Sequence, residues 1–425
     1  MNDINQSPEY TKIAQCRLCD ARVKTKIVVF PDVPLGNNLL ATEKHARAAK
    51  SYPLELLRCM ECGHFQLGHS VNSNLLYATN YTYLTGVSSH FKDHFERYVS
   101  WIFQNTQITP GELVVDIGSN DGTCLKAFQK KGLLVCGVDP ASEPARIANK
   151  QDVFTVNDFF SKHSKEVIEK KFGKPTLVTS HNVLAHVDDL KLTFELIFDM
   201  LVPGGAFCFE IGYFGSVYKN NLFDTIYHEH LDYHHASPLV SVLSAIGFYV
   251  SDVETNNIQG GSLRILCFKS TTAGFSQNVT EFLEREKTVL LPPPWTAKGW
   301  GDEIRNIMGR FGETVRNYVR NNKCVAAYGA PTKATLLLAM SGLDETHIMY
   351  VVEDNKLKIN KFLPSSSIAI VSPEKFSNEP PDVILILAWN FFDEILNRLS
   401  ELIKHRCIVI TPLPKFKEVI LNDKF

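Results

Sequence analysis

Residues 113–139 constrain the fold of this chain more than any other stretch. Leu113-Val114-Val115-Asp116-Ile117 is a short apolar run that empties into Gly118-Ser119-Asn120-Asp121-Gly122. A second run, Leu133-Leu134-Val135-Cys136-Gly137-Val138-Asp139, ends on an acid. Runs of this length, bounded by glycine-rich turns, read as buried strands. The pattern repeats: Thr176-Leu177-Val178-Thr179-Ser180 precedes His181-Asn182, and Pro203-Gly204-Gly205 opens Ala206-Phe207-Cys208-Phe209-Glu210. Strand and helix thus alternate from about residue 90 to about 270, the mark of an α/β doubly wound sheet.

The glycine-rich turn does not fit the G-x-G-x-x-G of dinucleotide binders. Gly118 and Gly122 are the only glycines in it, with no third to bring helix and strand together over a pyrophosphate. An acid just before the first glycine, Asp116, suits a ligand with an amine or cationic end. This is the arrangement of class I methyltransferases, which bind S-adenosylmethionine. In that reading Asp116, Gly118, Asn120 and Gly122 line the cofactor, and Asp139 accepts hydrogen bonds from the ribose hydroxyls. Asp158 and Phe159, in Asn157-Asp158-Phe159-Phe160 after the third strand, lie where such folds contact adenine.

Upstream, Cys16 and Cys19, then Cys59 and Cys62, form two CxxC pairs. Four thiolates at this spacing predict a tetrahedral zinc site with no open position, hence a structural metal. Leu54-Glu55-Leu56-Leu57-Arg58 and Phe65-Gln66-Leu67 read as the strands of a small hairpin inside this module. The other six cysteines are scattered singly, as buried free thiols usually are.

Downstream, Leu291-Pro292-Pro293-Pro294-Trp295 is a stiff break. Ile304, Ile307, Phe311, Val315 and Tyr318 keep helical spacing, predicting a connecting helix. A second α/β alternation follows, with strands expected at Cys324–Tyr328, Ile348–Val352, Val383–Ala388 and Cys407–Thr411. The expected organisation is a zinc-binding domain over residues 1–75, a Rossmann-like domain over 76–288 and a second Rossmann-like domain over 289–425. A formal net charge of −2 gives no basic excess for nucleic acid. The chain shows no apolar run of membrane-spanning length and no signal peptide, so a cytoplasmic monomer is expected.

The densest chemical stretch is Tyr227-His228-Glu229-His230, followed by His234 and His235. Imidazoles beside a carboxylate read either as a metal site or as a proton-transfer centre. Methyl transfer to carbon favours the second, because a carbon acid beside a carbonyl needs a base and an enolate stabiliser. Asn182 and His186, four apart, would share a face of a helix opening after the Ser180 strand. Tyr81, in Asn80-Tyr81-Thr82-Tyr83-Leu84, stands at the entrance to the middle domain.

Together these stretches resemble a known family, the S-adenosylmethionine-dependent sugar C-methyltransferases of deoxysugar pathways. The resemblance covers almost the whole chain. It rests on the two CxxC pairs with Gly63, the Asp116–Gly122 turn, Tyr227–His230, Gly260-Gly261-Ser262-Leu263-Arg264 and Gly329-Ala330-Pro331-Thr332-Lys333-Ala334. Such enzymes act at C-3 of nucleotide-linked 4-keto-6-deoxyhexoses carried on dTDP, GDP or CDP. The resemblance implies that His230 is the base, with Tyr227, Glu229, Asn182, His186 and Tyr81 as partners. His186 as second base or as donor stays open. Two positions depart from the family: Gln259 stands where His is common, and Asp139 where Glu is common. The first bears on sugar selectivity; the second shortens a carboxylate arm.

Ser262 and Arg264 are expected to meet substrate. Lys333 could hold a phosphate at a helix N-terminus, or its turn could be purely structural. Asn355 and Asn390 sit at strand ends on the crevice side, so the C-terminal domain is expected to grip the nucleotide. His234 and His235 are expected at the surface or behind the site. The rival functions are a metal-dependent sugar O-methyltransferase and a non-catalytic scaffold.

Overall fold

A computed structural model describes residues 8–72, 75–76, 84–87, 89–290 and 297–422 of the 425. Tyr81 and the Leu291–Trp295 break lie outside the described residues.

In the N-terminal module, Thr25–Val29, Glu55–Arg58 and Phe65–Leu67 pair antiparallel, giving the expected hairpin. The fourth strand of this sheet comes from the middle of the chain: Asp232 pairs with Gln66 and Tyr233 with Phe65. The zinc module is therefore stitched to the segment that directly follows the histidine cluster.

The middle domain is an eight-stranded sheet. Five parallel strands run in the order Thr155–Val156, Leu134–Val138, Leu113–Ile117, Leu177–His181, Ala206–Gly212. Ser262–Lys269 adds antiparallel to Ala206–Gly212, followed by Phe248–Asn256 and the short Gly274–Phe275. Strand order reverses at Leu113–Ile117, the first strand, and this opens a crevice at the carboxyl ends of the parallel strands, where ligands of such sheets bind. Gly118–Gly122, Asp139 and Asn157 all leave from that edge.

One local expectation is corrected. No helix opens after Ser180. Asn182 adopts φ of 56°, a left-handed conformation that asparagine tolerates better than most residues. Its N–H donates to the Glu210 carbonyl at 2.8 Å. The helix begins only at Leu190, where the Asp189 side chain accepts the Leu192 N–H at 2.9 Å. A local turn and the Asp189 cap delay the helix expected directly after the Ser180 strand.

The long helix Ala297–Arg320 buries Ile304, Met308, Phe311 and Val315. Beyond it, Ile370–Val371, Val351–Val352, Val325–Tyr328, Val383–Ile386 and Cys407–Thr411 form a parallel sheet in that order, edged by antiparallel Lys417–Leu421. Ile27, Leu56 and Phe65 of the zinc module share one buried cluster with Phe223, Ile226 and Leu231 near the histidines and with Ile304, Phe311 and Leu337. Burial of apolar side chains thus fixes all three parts around the Tyr227–His230 segment. No helix among the described residues is long and apolar enough to cross a membrane.

Candidate active site and zinc site

The four cysteine sulfurs lie within 4.8 Å of one another, with Cys16–Cys62 at 3.5 Å and Cys19–Cys59 at 3.6 Å. A tetrahedral zinc with bonds of ~2.3 Å needs sulfur separations of ~3.8 Å, so the thiols fit the ion. Each CxxC turn closes through a left-handed residue: Asp20 at φ 61° and Gly63 at φ 83°. Among the described residues, these thiols are the one group of three or more Cys, His, Asp or Glu side chains gathered to hold a metal.

The cofactor cradle is built from the glycine turn. Gly118 has φ of 72°, and a Cβ there would sit 2.1 Å from Val183 Cγ2. Only glycine lets the turn lie against the Asn182 loop. Asp139 accepts the Asn120 N–H and the Ala141 N–H, each at 2.8 Å. Burial raises its pKa to about 6 against those two donors. Asp116 is buried and accepts the Thr179 hydroxyl at 2.7 Å. Buried Ser119 Oγ has no hydrogen-bond partner. An orphaned hydroxyl, a carboxylate with spare lone pairs and a glycine-lined cradle fit S-adenosylmethionine. Above the turn, Thr85 N–H donates to Asn120 at 3.0 Å and Gly86 N–H to Asp121 at 2.8 Å. Phe159 is half exposed, at 48%, near the rim.

The histidine cluster is held by buried hydrogen bonds. His230 Nδ1 lies 3.0 Å from the Thr225 carbonyl, which can only accept, so this nitrogen carries the proton. The lone pair is therefore on Nε2, where the Tyr227 hydroxyl donates to it at 2.9 Å. Burial holds His230 well below the ordinary imidazole pKa, helped by nearby His186, so it stays neutral. His186 repeats the logic, donating from Nδ1 to the Glu229 carbonyl at 2.7 Å. Its ring meets that of His230 edge-on with centroids 4.8 Å apart. Burial pushes the Glu229 carboxyl up to about 7, while the Asn37 amide pulls the other way.

His228 points elsewhere, with Nε2 toward the Tyr52 carbonyl at 3.3 Å. His228 and His230 cannot share a metal in this arrangement. His234 and His235 are buried, which selects a place behind the site over the surface. His235 bridges Glu286 and the Gly63 carbonyl beside the zinc turn, at 3.1 and 3.0 Å.

Three expected substrate contacts are engaged inside the fold. Arg264 pairs with Glu210 at 2.6 Å and Glu254 at 2.5 Å, and stacks over Trp101. Burial would raise the Glu210 pKa, but His181, His94 and Arg264 outweigh it and keep the carboxylate ionised. Ser262 is buried and donates to the Ile258 carbonyl at 3.0 Å. The Lys333 ammonium lies 3.6 Å from Asp224 and 3.8 Å from the Trp389 ring centroid. In the Gly329–Lys333 turn the Ala330 N–H donates to the Glu353 carboxylate at 2.9 Å. Asn355 caps its own turn through Leu357 N–H at 3.0 Å, and Asn390 is exposed.

Sequence reasoning missed Asn37, Thr225, Thr332, Arg17 and Asp232. Asn37 follows Pro34-Leu35-Gly36, which reads as an ordinary loop.

A class I fold with a glycine-turn cradle, a buried histidine cluster and a four-thiol zinc module defines an S-adenosylmethionine-dependent methyltransferase with a structural metal site. Family profiles agree along the chain: "putative zinc binding domain" at 16–77, "methyltransferase domain" at 89–253 and "C-methyltransferase C-terminal domain" at 257–414. The C-methyltransferase NovU of Streptomyces niveus is 33% identical over 406 residues, covering 95% of this chain and 96% of that protein. The chain belongs to the C-methyltransferase family. A ubiquinone biosynthesis O-methyltransferase from Pasteurella multocida (strain Pm70) is 24% identical over 123 residues, 26% of this chain and 51% of that one. Among solved structures, magnesium protoporphyrin IX methyltransferase from Synechocystis PCC 6803 aligns at 14% identity over 42% of this chain and 79% of its own, TM-score 0.33.

Proposed function

We propose that this enzyme transfers a methyl group from S-adenosylmethionine to C-3 of a nucleotide-linked 4-keto-6-deoxyhexose by way of an enolate. The observation that carries the reading is the committed tautomer of His230, with Nδ1–H on the Thr225 carbonyl and the lone pair held by Tyr227. A neutral, desolvated imidazole with one directed lone pair is the form a base needs. The C-3 proton lies α to the C-4 ketone and is acidic enough for such a base. As substrate binds, the Tyr227 hydroxyl turns its hydrogen from Nε2 to the C-4 oxygen. That one rotation frees the base and supplies an enolate donor, which contributes on the order of 3 kcal/mol. The bound cofactor supplies the electrophilic methyl group.

His186, whose ring packs against His230 at 4.8 Å, and Asn182 at the start of the same loop are read as partners of the base. Tyr81 completes the set by resemblance. Asn355 and Asn390, beyond strand ends of the C-terminal domain, are proposed as the nucleotide contacts. The divergent nitrogens of His228 and His230 speak against the metal-dependent O-methyltransferase reading. Turnover with a panel of dTDP-, GDP- and CDP-linked 4-ketosugars, with the new methyl located by NMR, tests this reading. A methyl on C-3 supports it; a methyl on oxygen overturns it.

A further inference from the structure

Glu229 does not stand alone in its segment. The Asn37 side-chain amide donates from Nδ2 to Oε1 at 2.8 Å and to Oε2 at 3.0 Å. The Asn37 carbonyl oxygen, Oδ1, in turn accepts the Thr332 hydroxyl at 2.6 Å. Asn37 belongs to the zinc-binding module, Glu229 to the middle domain and Thr332 to the C-terminal domain. We infer that Asn37 is a positioning residue for the Glu229 carboxylate, that Thr332 fixes the orientation of its amide, and that the relay sets which form of Glu229 meets substrate.

The geometry leaves the amide little freedom. Turning it over would aim Oδ1 at a carboxylate, and the Thr332 hydroxyl, donating to Oδ1, opposes that turn. Gly36 locks the backbone beneath it: a Cβ there would lie 2.2 Å from the Thr332 carbonyl oxygen and 2.8 Å from its methyl. The loop before Asn37 is thus pressed onto the Gly329–Lys333 turn as closely as two backbones can approach.

Other titratable groups nearby are turned to different partners. His186 donates to the Glu229 main-chain carbonyl, His228 faces Tyr52, and His230 faces Thr225 and Tyr227. Lys333, next to Thr332, faces Asp224. Glu229 is 6% exposed, so desolvation favours its protonated form. Two N–H contacts to the carboxylate oxygens favour the ionised form, the one that accepts a hydrogen bond from a substrate hydroxyl or ammonium. Without Asn37 the carboxyl would hold its proton to higher pH.

The inference rests on the proposed reading that Glu229 faces the sugar, and two readouts keep the questions apart. Infrared difference titration of the full-length protein against Glu229→Gln follows this carboxyl with no substrate present. The pH profile of kcat/KM for methyl transfer follows it in action. Asn37→Leu should move the titration and the acid limb upward by about one pH unit. Thr332→Val should move both the same way by less, Thr332→Ser should restore the wild-type curves, and the double variant should match Asn37→Leu alone. An unmoved titration in folded Asn37→Leu, or additive shifts in the double variant, overturns the relay. If Asn37→Leu does not fold, the Val and Ser variants at 332 decide the matter by the same shift. A wild-type protein that titrates as expected but methylates no ketosugar leaves the relay standing and overturns the proposed function instead.

Discussion

Arg17, set between the zinc ligands Cys16 and Cys19, donates from Nε to both carboxylate oxygens of Asp232 at 3.0 Å. Asp232 lies two residues beyond His230 in the strand that joins the zinc sheet. His64 Nε2 meets the same carboxylate at 2.8 Å, and the Arg17 guanidinium also donates to the Val187 carbonyl, just past His186. The metal module therefore holds the histidine cluster from both sides, through one buried ion pair.

Breaking that pair should damage the base while sparing the cofactor cradle, which belongs to another sheet. For Arg17→Met, which leaves buried Asp232 with His64 but without its guanidinium partner, we expect a stability loss of about 3 kcal/mol. The kcat should fall while S-adenosylmethionine affinity stays near wild type. Denaturant unfolding and calorimetric titration check both halves; unchanged stability would contradict the anchoring role. Zinc removal by a strong chelator should act in the same direction, lowering Tm.

Gly118→Ala tests the cradle. The new methyl would meet Val183 Cγ2 at 2.1 Å in a backbone conformation that disfavours a side chain. We expect at least a tenfold loss of cofactor affinity, on the order of 1–3 kcal/mol of overpacking. Val183→Ala in the same chain should recover part of it. Equal affinity in Gly118→Ala and wild type would show that this turn does not shape the site.

Tyr227→Phe removes the hydroxyl from His230 Nε2 while keeping the ring. The kcat should fall by about 10²–10³, the cost of one lost oxyanion donor, with cofactor affinity unchanged. A variant as fast as wild type would remove Tyr227 from the mechanism.

His228 offers a pH test of burial. Burial lowers its pKa to about 4, against 6.5 for the free group. In the folded chain it stays neutral where the unfolded chain takes up a proton, so stability is lost as pH falls from 6.5 toward 4. His228→Gln removes that linkage. Relative to wild type, the variant should gain on the order of 1.4 kcal/mol per pH unit across the window. Urea unfolding at several pH values measures the difference, and parallel curves would contradict it.

Much of this was legible in the sequence because it depends on local pattern. The CxxC pairs, the apolar strands and the Asp116–Gly122 turn announce themselves through spacing and composition, and their placement follows. What was not legible depends on residues far apart in sequence. A helix is expected directly after the Ser180 strand, with Asn182 and His186 on one face, but a left-handed Asn182 and the Asp189 cap decide the backbone there. Arg264 and Lys333 have carboxylate partners that no local pattern shows. Arg264 pairs with Glu210 and Glu254, and Lys333 lies beside Asp224. The Asp232–Tyr233 strand is two residues long and pairs across domains, leaving no periodic trace. Asn37 is a lone polar residue in a loop, and only the fold brings Glu229 and Thr332 to it.

The central claim is that His230 removes the C-3 proton to give an enolate, and isotope exchange tests it most directly. The protein should be incubated in deuterated water with a 4-ketosugar nucleotide and S-adenosylhomocysteine in place of the methyl donor, and C-3 followed by NMR. The account predicts deuterium at C-3 with wild type and a loss of at least about a hundredfold in His230→Ala. No exchange by wild type, or undiminished exchange by His230→Ala, would contradict it.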